Sequence, residues 1–62
     1  MPERVKGVLI ADHNPVVRAA ARFLLWRRPD IEVCGETENG LKTIDAALNL
    51  RPDLIILDMV RD

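Results

Sequence analysis

The sequence predicts an α/β chain built around a small parallel sheet, and two observations carry that expectation. Val8-Leu9-Ile10-Ala11 and Leu54-Ile55-Ile56-Leu57 are short apolar runs, each ending at an aspartate, Asp12 and Asp58. Continuous runs of this length and composition suit strands buried on both faces. Between them lie segments with helical spacing, so the order reads β-α-β-α-β with short connections. Two helical crossovers require parallel strands and right-handed connections.

The elements follow in chain order. After the first run, Asn14-Pro15 is a helix start, because Asn can cap and Pro fits the first turn. Val17, Ala20 and Leu24 recur at helical spacing, with Val16 and Phe23 beside them, and form the expected core stripe of a helix over about residues 15–28. Arg18 and Arg22 fall one turn apart on another side and are expected to be a solvated face. Arg27 and Arg28 are placed in the last turn, where positive charge is favoured, and Pro29 stops the helix. Trp26 is expected to be core or half-buried packing rather than a partner anchor. Ile31-Glu32-Val33-Cys34-Gly35-Glu36 alternates, as in an edge strand with one covered face. Cys34 is read as a small apolar residue of that strand rather than a reactive thiol. A second helix over about 40–50 begins near Asn39-Gly40, with Leu41, Ile44 and Leu48 on one face, and Pro52 ends it before the third strand.

Composition narrows the function classes. The 62 residues are 48% hydrophobic and 31% charged, with a net charge of −1. That balance offers no basic stripe, and one Phe, one Trp and no Tyr offer no stacking platform, so direct nucleic-acid binding is not expected. No apolar stretch is long enough to span a membrane, the first residues do not read as a signal peptide, and one cysteine makes no internal disulfide. The cytoplasm is the expected compartment. Neither a G-x-G-x-x-G nor a G-x-x-x-x-G-K-[ST] pattern occurs, so Gly35 and Gly40 support no nucleotide site. In a chain this short, apolar burial barely offsets the entropy of ordering the backbone. If the first strand lies between the other two, Asp12 and Asp58 end on neighbouring strands at one carboxyl edge, where open α/β sheets place ligands.

Three stretches together resemble a known family. Val8-Leu9-Ile10-Ala11-Asp12-His13-Asn14-Pro15-Val16-Val17-Arg18 resembles the opening of a bacterial response-regulator receiver domain, of the NarL/FixJ (LuxR-type) group, which tends to read I-A-D-D-H-P-V-V-R. Arg28-Pro29-Asp30-Ile31-Glu32-Val33 and Gly35-Glu36-Thr37-Glu38-Asn39-Gly40 resemble that group's second-strand region. Arg51-Pro52-Asp53-Leu54-Ile55-Ile56-Leu57-Asp58-Met59 resembles its phosphoacceptor strand. The resemblance covers almost the whole chain. It implies a partial flavodoxin-like (CheY-like) fold, a three-stranded parallel sheet of order 2-1-3 with one helix on each face. Residues 1–62 would then be a truncated receiver domain, its N-terminal half, with no output domain.

The resemblance also implies roles. Asp58 would be the phosphoacceptor, taking phosphoryl from a sensor histidine kinase as a carboxylate nucleophile; the bland reading is a solvated aspartate at a strand end. Such a chain is an acceptor rather than an enzyme. Asp12 would be the first member of an acidic pair that, with Asp58, binds Mg²⁺ through oxygen. His13 stands where the family has its second acid. Imidazole is a poor partner for Mg²⁺, so Mg²⁺ is a doubtful cofactor. His13 is left as a plain loop residue, a metal-free charge partner of Asp58, or a ligand for a softer metal. After Asp58 the family continues to Met-Pro, whereas Arg61 and Asp62 stand at those positions. A second function class therefore stays open: a non-catalytic or degenerate receiver-derived interaction module without phosphotransfer. The apolar third strand has no Lys or Pro inside its run, so it would form an exposed edge. In the complete domain the resemblance implies, a fourth strand lies beside the third, so the isolated chain is expected to dimerise, aggregate or stay partly unfolded unless a partner covers that edge; two copies pairing there would make a homodimer with a six-stranded sheet and bring two Asp58-bearing edges near each other.

Overall fold

A computed structural model describes residues 5–58. Five elements run in the expected order: β1 (Lys6–Asp12), α1 (Pro15–Trp26), β2 (Ile31–Thr37), α2 (Gly40–Leu50) and β3 (Leu54–Asp58). The sheet is parallel, in the order β2-β1-β3. β1 is central, and its Val8, Leu9, Ile10 and Ala11 are at most 2% exposed, which makes them the apolar core of the described residues. Burial on both faces is what their unbroken apolar run requires.

The helix starts follow from their caps. Asn14 Oδ1 accepts the Val16 N–H and Asn39 Oδ1 accepts the Lys42 N–H, so each helix has one otherwise orphaned donor satisfied. α2 closes at Arg51, whose φ of 50° lies in the left-handed region, and Pro52 follows. α1 ends at Trp26 with Arg27 as its cap, so Arg27 and Arg28 lie beyond the last turn rather than within it.

β2 departs from plain alternation. Val8 pairs with Val33 but Leu9 pairs with Gly35, so Cys34 is an extra residue in a bulge. Its Sγ donates to the Val8 carbonyl at 3.5 Å. A bulge shifts the parity of every later side chain. Glu36 therefore points toward α1, where it meets Arg22, and Thr37 points toward α2, where it meets Thr43. Consecutive strand residues face opposite sides, so the two helices cover opposite faces of the sheet, as expected. Both faces of β2 are thus covered in part, not one alone. Gly35 is needed on the α2 face: a Cβ there would lie 2.8 Å from Leu50 Cδ1 and 3.3 Å from Leu9 Cδ1.

The helices present different faces to the sheet from those their apolar spacing predicts. On α1 the covered residues are Arg18, Ala19, Ala21 and Leu25, while Val17, Phe23 and Leu24 are exposed. On α2, Thr43 is buried and Ala46 and Ala47 are partly covered, while Leu41, Ile44 and Leu48 are exposed. Both helices sit over β1 and β2, and among the described residues neither touches β3. Ala19, Ala21, Ala46 and Ala47 let the helix backbones approach the sheet closely, with Arg18 and Leu25 covered beside them on α1, and the other bulky stripes are left over. Trp26 is also corrected: it is 80% exposed, on the flank of α1 that lines a groove with Ile31 and Val33 of β2. The positions that break the expected Met-Pro pattern, Arg61 and Asp62, lie outside the described residues.

This division of buried and exposed leucines has a measurable consequence. Leu9→Ala should cost about 3 kcal/mol in urea unfolding, as for a buried leucine losing its packing. Leu48→Ala, on the apolar stripe of α2, should change stability by no more than about 0.5 kcal/mol. Equal losses at the two positions would contradict the packing described.

Candidate functional site

The carboxyl edge of the sheet gathers the polar residues that the sequence singles out. Asp12 is the last residue of β1 and Asp58 the last of β3, and the two are direct register partners. Partners in a parallel pair lie about 5 Å apart and face the same side, so two carboxylates sit side by side. Their surroundings differ: Asp12 is 4% exposed, whereas Asp58 is open to solvent.

Asp12 is held at both its polar ends. Its Oδ1 accepts the Asn14 backbone N–H at 2.9 Å, closing a turn through His13. Its carbonyl accepts a hydrogen bond from Arg18 Nη1 at 2.7 Å. His13 is exposed, with Nδ1 3.7 Å from Asp12 Oδ1. It is therefore a loop residue beside the acid, at ion-pair rather than hydrogen-bond distance.

Arg18 reaches further than a solvated face would. Its Nε lies 3.6 Å from Glu36 Oε1, and its side chain is only 18% exposed. Arg22 Nη1 donates to Glu36 Oε2 at 2.6 Å from a half-exposed position. Glu36 thus gathers two arginines of α1, and Arg18 links it to the end of β1. Sequence reasoning missed this group, although Arg18 and Arg22 stand at i, i+4; placing Glu36 opposite them needed the bulge. A second polar tie closes the other face: Thr43 Oγ1 donates to the Asn39 carbonyl at 2.7 Å, which leaves the Thr37 hydroxyl to donate to Thr43 at 2.7 Å.

Among the described residues no group of three or more His, Cys, Asp or Glu is placed to hold a metal ion. The edge offers two carboxylates, one of them already accepting a backbone N–H, and an imidazole where a hard cation prefers oxygen. These residues do not by themselves compose a Mg²⁺ site.

The two arginines should differ on removal. Arg18→Ala breaks a charge-assisted bond to a largely covered carbonyl and should cost about 2 kcal/mol. Arg22→Ala removes a half-exposed ion pair and should cost less than about 1 kcal/mol. Urea unfolding of both variants checks the order.

No protein-family model matches the chain. Individual proteins do. It is 42% identical over 52 residues to the nitrate/nitrite response regulator protein NarL of Escherichia coli (strain K12), covering 84% of this chain and 24% of that protein. It is 44% identical over 52 residues to the transcriptional regulatory protein BtsR of Salmonella typhi, covering 84% of this chain and 22% of that one. A protein-glutamate methylesterase/protein-glutamine glutaminase of Thermotoga maritima is 32% identical over 59 residues, 95% of this chain and 17% of the relative. The chain thus spans about a quarter or less of the length of these curated relatives. Among the described residues, no helix is long and apolar enough to cross a membrane. With the β2-β1-β3 parallel order and a helix on each face, these likenesses have one reading: the chain belongs to the response-regulator receiver family, and its three strands and two helices are a partial CheY-like fold.

Proposed function

We propose that this receiver chain is a phosphoacceptor of a two-component system, taking phosphoryl on Asp58 from a sensor histidine kinase. The observation that carries the reading is the register pairing of Asp12 with Asp58 at the carboxyl edge of a parallel sheet, the edge at which open α/β sheets place ligands. An oxygen of the Asp58 carboxylate attacks the phosphorus of a phosphohistidine. The new P–O bond gives an acyl phosphate, the P–N bond breaks, and its electron pair returns to the imidazole. Asp58 is exposed, as in-line approach of a donor requires. The chain is the acceptor in this step and turns over no substrate of its own. Its partners are the kinase and, through β3, a second copy. The cytoplasm, where phosphodonors of this kind are made, is the compartment that suits it.

One observation favours a second reading, a non-catalytic interaction module derived from a receiver. His13 occupies the position of an acid, and the donors at the edge fall short of a Mg²⁺ set. Incubation with acetyl phosphate, followed by mass spectrometry of the Asp58 peptide, separates the two. The phosphoacceptor reading expects a phosphoryl adduct on Asp58 that is lost in Asp58→Asn. No adduct under saturating donor would leave the interaction module.

Metal affinity follows the same logic. Mg²⁺ should bind the natural sequence weakly or not at all in calorimetric titration, and His13→Asp should produce measurable binding by adding an oxygen ligand. Tight Mg²⁺ binding by the unmodified chain would contradict this.

A further inference from the structure

We propose that Arg18 is the positioning residue of the acceptor edge: it grips both ends of the Asp12–Asn14 loop, holds the Asp12 carboxylate back from Asp58, and so sets the rate at which Asp58 takes phosphoryl. The inference rests on the phosphoacceptor reading above and adds to it a residue that acts through Asp12 rather than on the phosphoryl group.

One residue closes the loop from both sides. The Arg18 side chain donates from Nη1 to the Asp12 carbonyl at 2.7 Å. Its backbone N–H makes the first bond of α1, to the Asn14 carbonyl at 3.1 Å. Inside that grip the Asn14 N–H donates to Asp12 Oδ1, and Asn14 Oδ1 accepts the Val16 N–H. Asp12, His13 and Asn14 therefore form a ring completed by Arg18. The peptide between Asp12 and His13 cannot rotate without giving up a charge-assisted hydrogen bond. The guanidinium is braced in turn. Its Nε lies 3.6 Å from Glu36 Oε1, and Arg22 Nη1 holds the other oxygen of Glu36 at 2.6 Å. Arg18 is thus fixed at its backbone, at its Nη1 and at its Nε.

The grip matters because of what stands beside it. Asp12 and Asp58 are register partners, about 5 Å apart across the pair. A carboxylate free to swing at that spacing would carry its charge onto the side from which an anionic donor approaches Asp58, and would oppose it. Held on the Asn14 N–H, the Asp12 charge is compensated by a donor of its own and stays covered, at 4% exposure, while Asp58 remains open. Arg18 also keeps His13 in the loop where its Nδ1 stands 3.7 Å from Asp12 Oδ1. Releasing the Asp12 carbonyl frees both side chains at once.

The test is the time course of the Asp58 adduct on the full chain with acetyl phosphate, read by mass spectrometry and expressed per folded molecule from circular dichroism. In this step an oxygen of Asp58 attacks phosphorus, and acetate leaves with the electron pair of the broken P–O bond. Arg18→Ala should lower the rate constant about tenfold, the scale of a misplaced neighbouring group. Arg18→Lys offers one compact donor that reaches the Asp12 carbonyl but cannot also span to Glu36, and should lower it only about threefold. Leu25→Ala removes a covered side chain about two turns further along α1; it destabilises the fold away from the edge and should stay within about twofold of the unmodified rate. A folded Arg18→Ala that reacts at the unmodified rate, an Arg18→Lys no faster than Arg18→Ala, or a Leu25→Ala that slows as much as Arg18→Ala overturns the positioning role and leaves the phosphoacceptor reading standing. If Arg18→Ala does not fold, Arg18→Lys against Leu25→Ala decides: a loss in the first alone supports the role, and an unmodified rate in the first overturns it. No adduct on the unmodified chain overturns both readings.

Discussion

The rest of the structure depends on β1 being buried on both faces. Val8, Leu9, Ile10 and Ala11 pair with a strand on either side and are covered by helices above and below. Apolar residues accept that position freely, but the strand has to end, and it ends on Asp12, which is still 4% exposed. A buried carboxylate and carbonyl need donors. They find them in the Asn14 N–H and the Arg18 guanidinium, and that requirement shapes the loop before α1 and the way α1 lies on the sheet. Among the described residues, no buried side-chain polar atom is left without a hydrogen-bond partner.

The bulge at Cys34 is the second constraint, and it acts through parity. Without the extra residue, Glu36 would point at α2 and Thr37 at α1. The arginines of α1 would then face a hydroxyl, and Thr43 would be buried against a carboxylate. One inserted residue exchanges both partners at once, as any one-residue slip in a strand does. The side chains at the carboxyl end of β2 therefore match their helices only because the pairing of Val8 with Val33 is followed by that of Leu9 with Gly35.

These two constraints explain what was legible in the sequence. The strands, their order, the cap at Asn14, the start of α2 near Asn39 and its end, and the meeting of Asp12 with Asp58 all follow from local signals or from the resemblance to receivers. The covered faces of the helices do not. Hydrophobic periodicity finds the stripe best able to be buried, whereas the sheet chooses the stripe that fits. Over β1 and β2 the close approach favours Ala21, Ala46 and Ala47, and Thr43 brings a hydroxyl that Thr37 and Asn39 satisfy. The Val17–Leu24 and Ile44–Leu48 stripes would suit a wider sheet than three strands supply. Arg18 was misjudged for a related reason: its partner is on β2, and only the bulge turns Glu36 toward it.

The same geometry bears on the chemistry of the edge. Register pairing of β1 with β3 places two carboxylates together, one covered and one open to solvent, and like charges at that spacing repel. Among the described residues, the cationic groups of α1 and of the loop before it are directed elsewhere. Arg18 spends its reach on the Asp12 carbonyl and on Glu36, Arg22 on Glu36, and His13 stands 3.7 Å from the Asp12 carboxylate rather than on it. Among the described residues, the edge therefore keeps an excess of negative charge on its solvent side. On the proposed phosphoacceptor reading, an incoming phosphoryl group, itself anionic, meets that charge as an opposing field. On that reading Asp58 is the indispensable nucleophile, and residue 13, an imidazole where the resembled family has an acid, is the neighbouring position that bears on the metal the edge could hold.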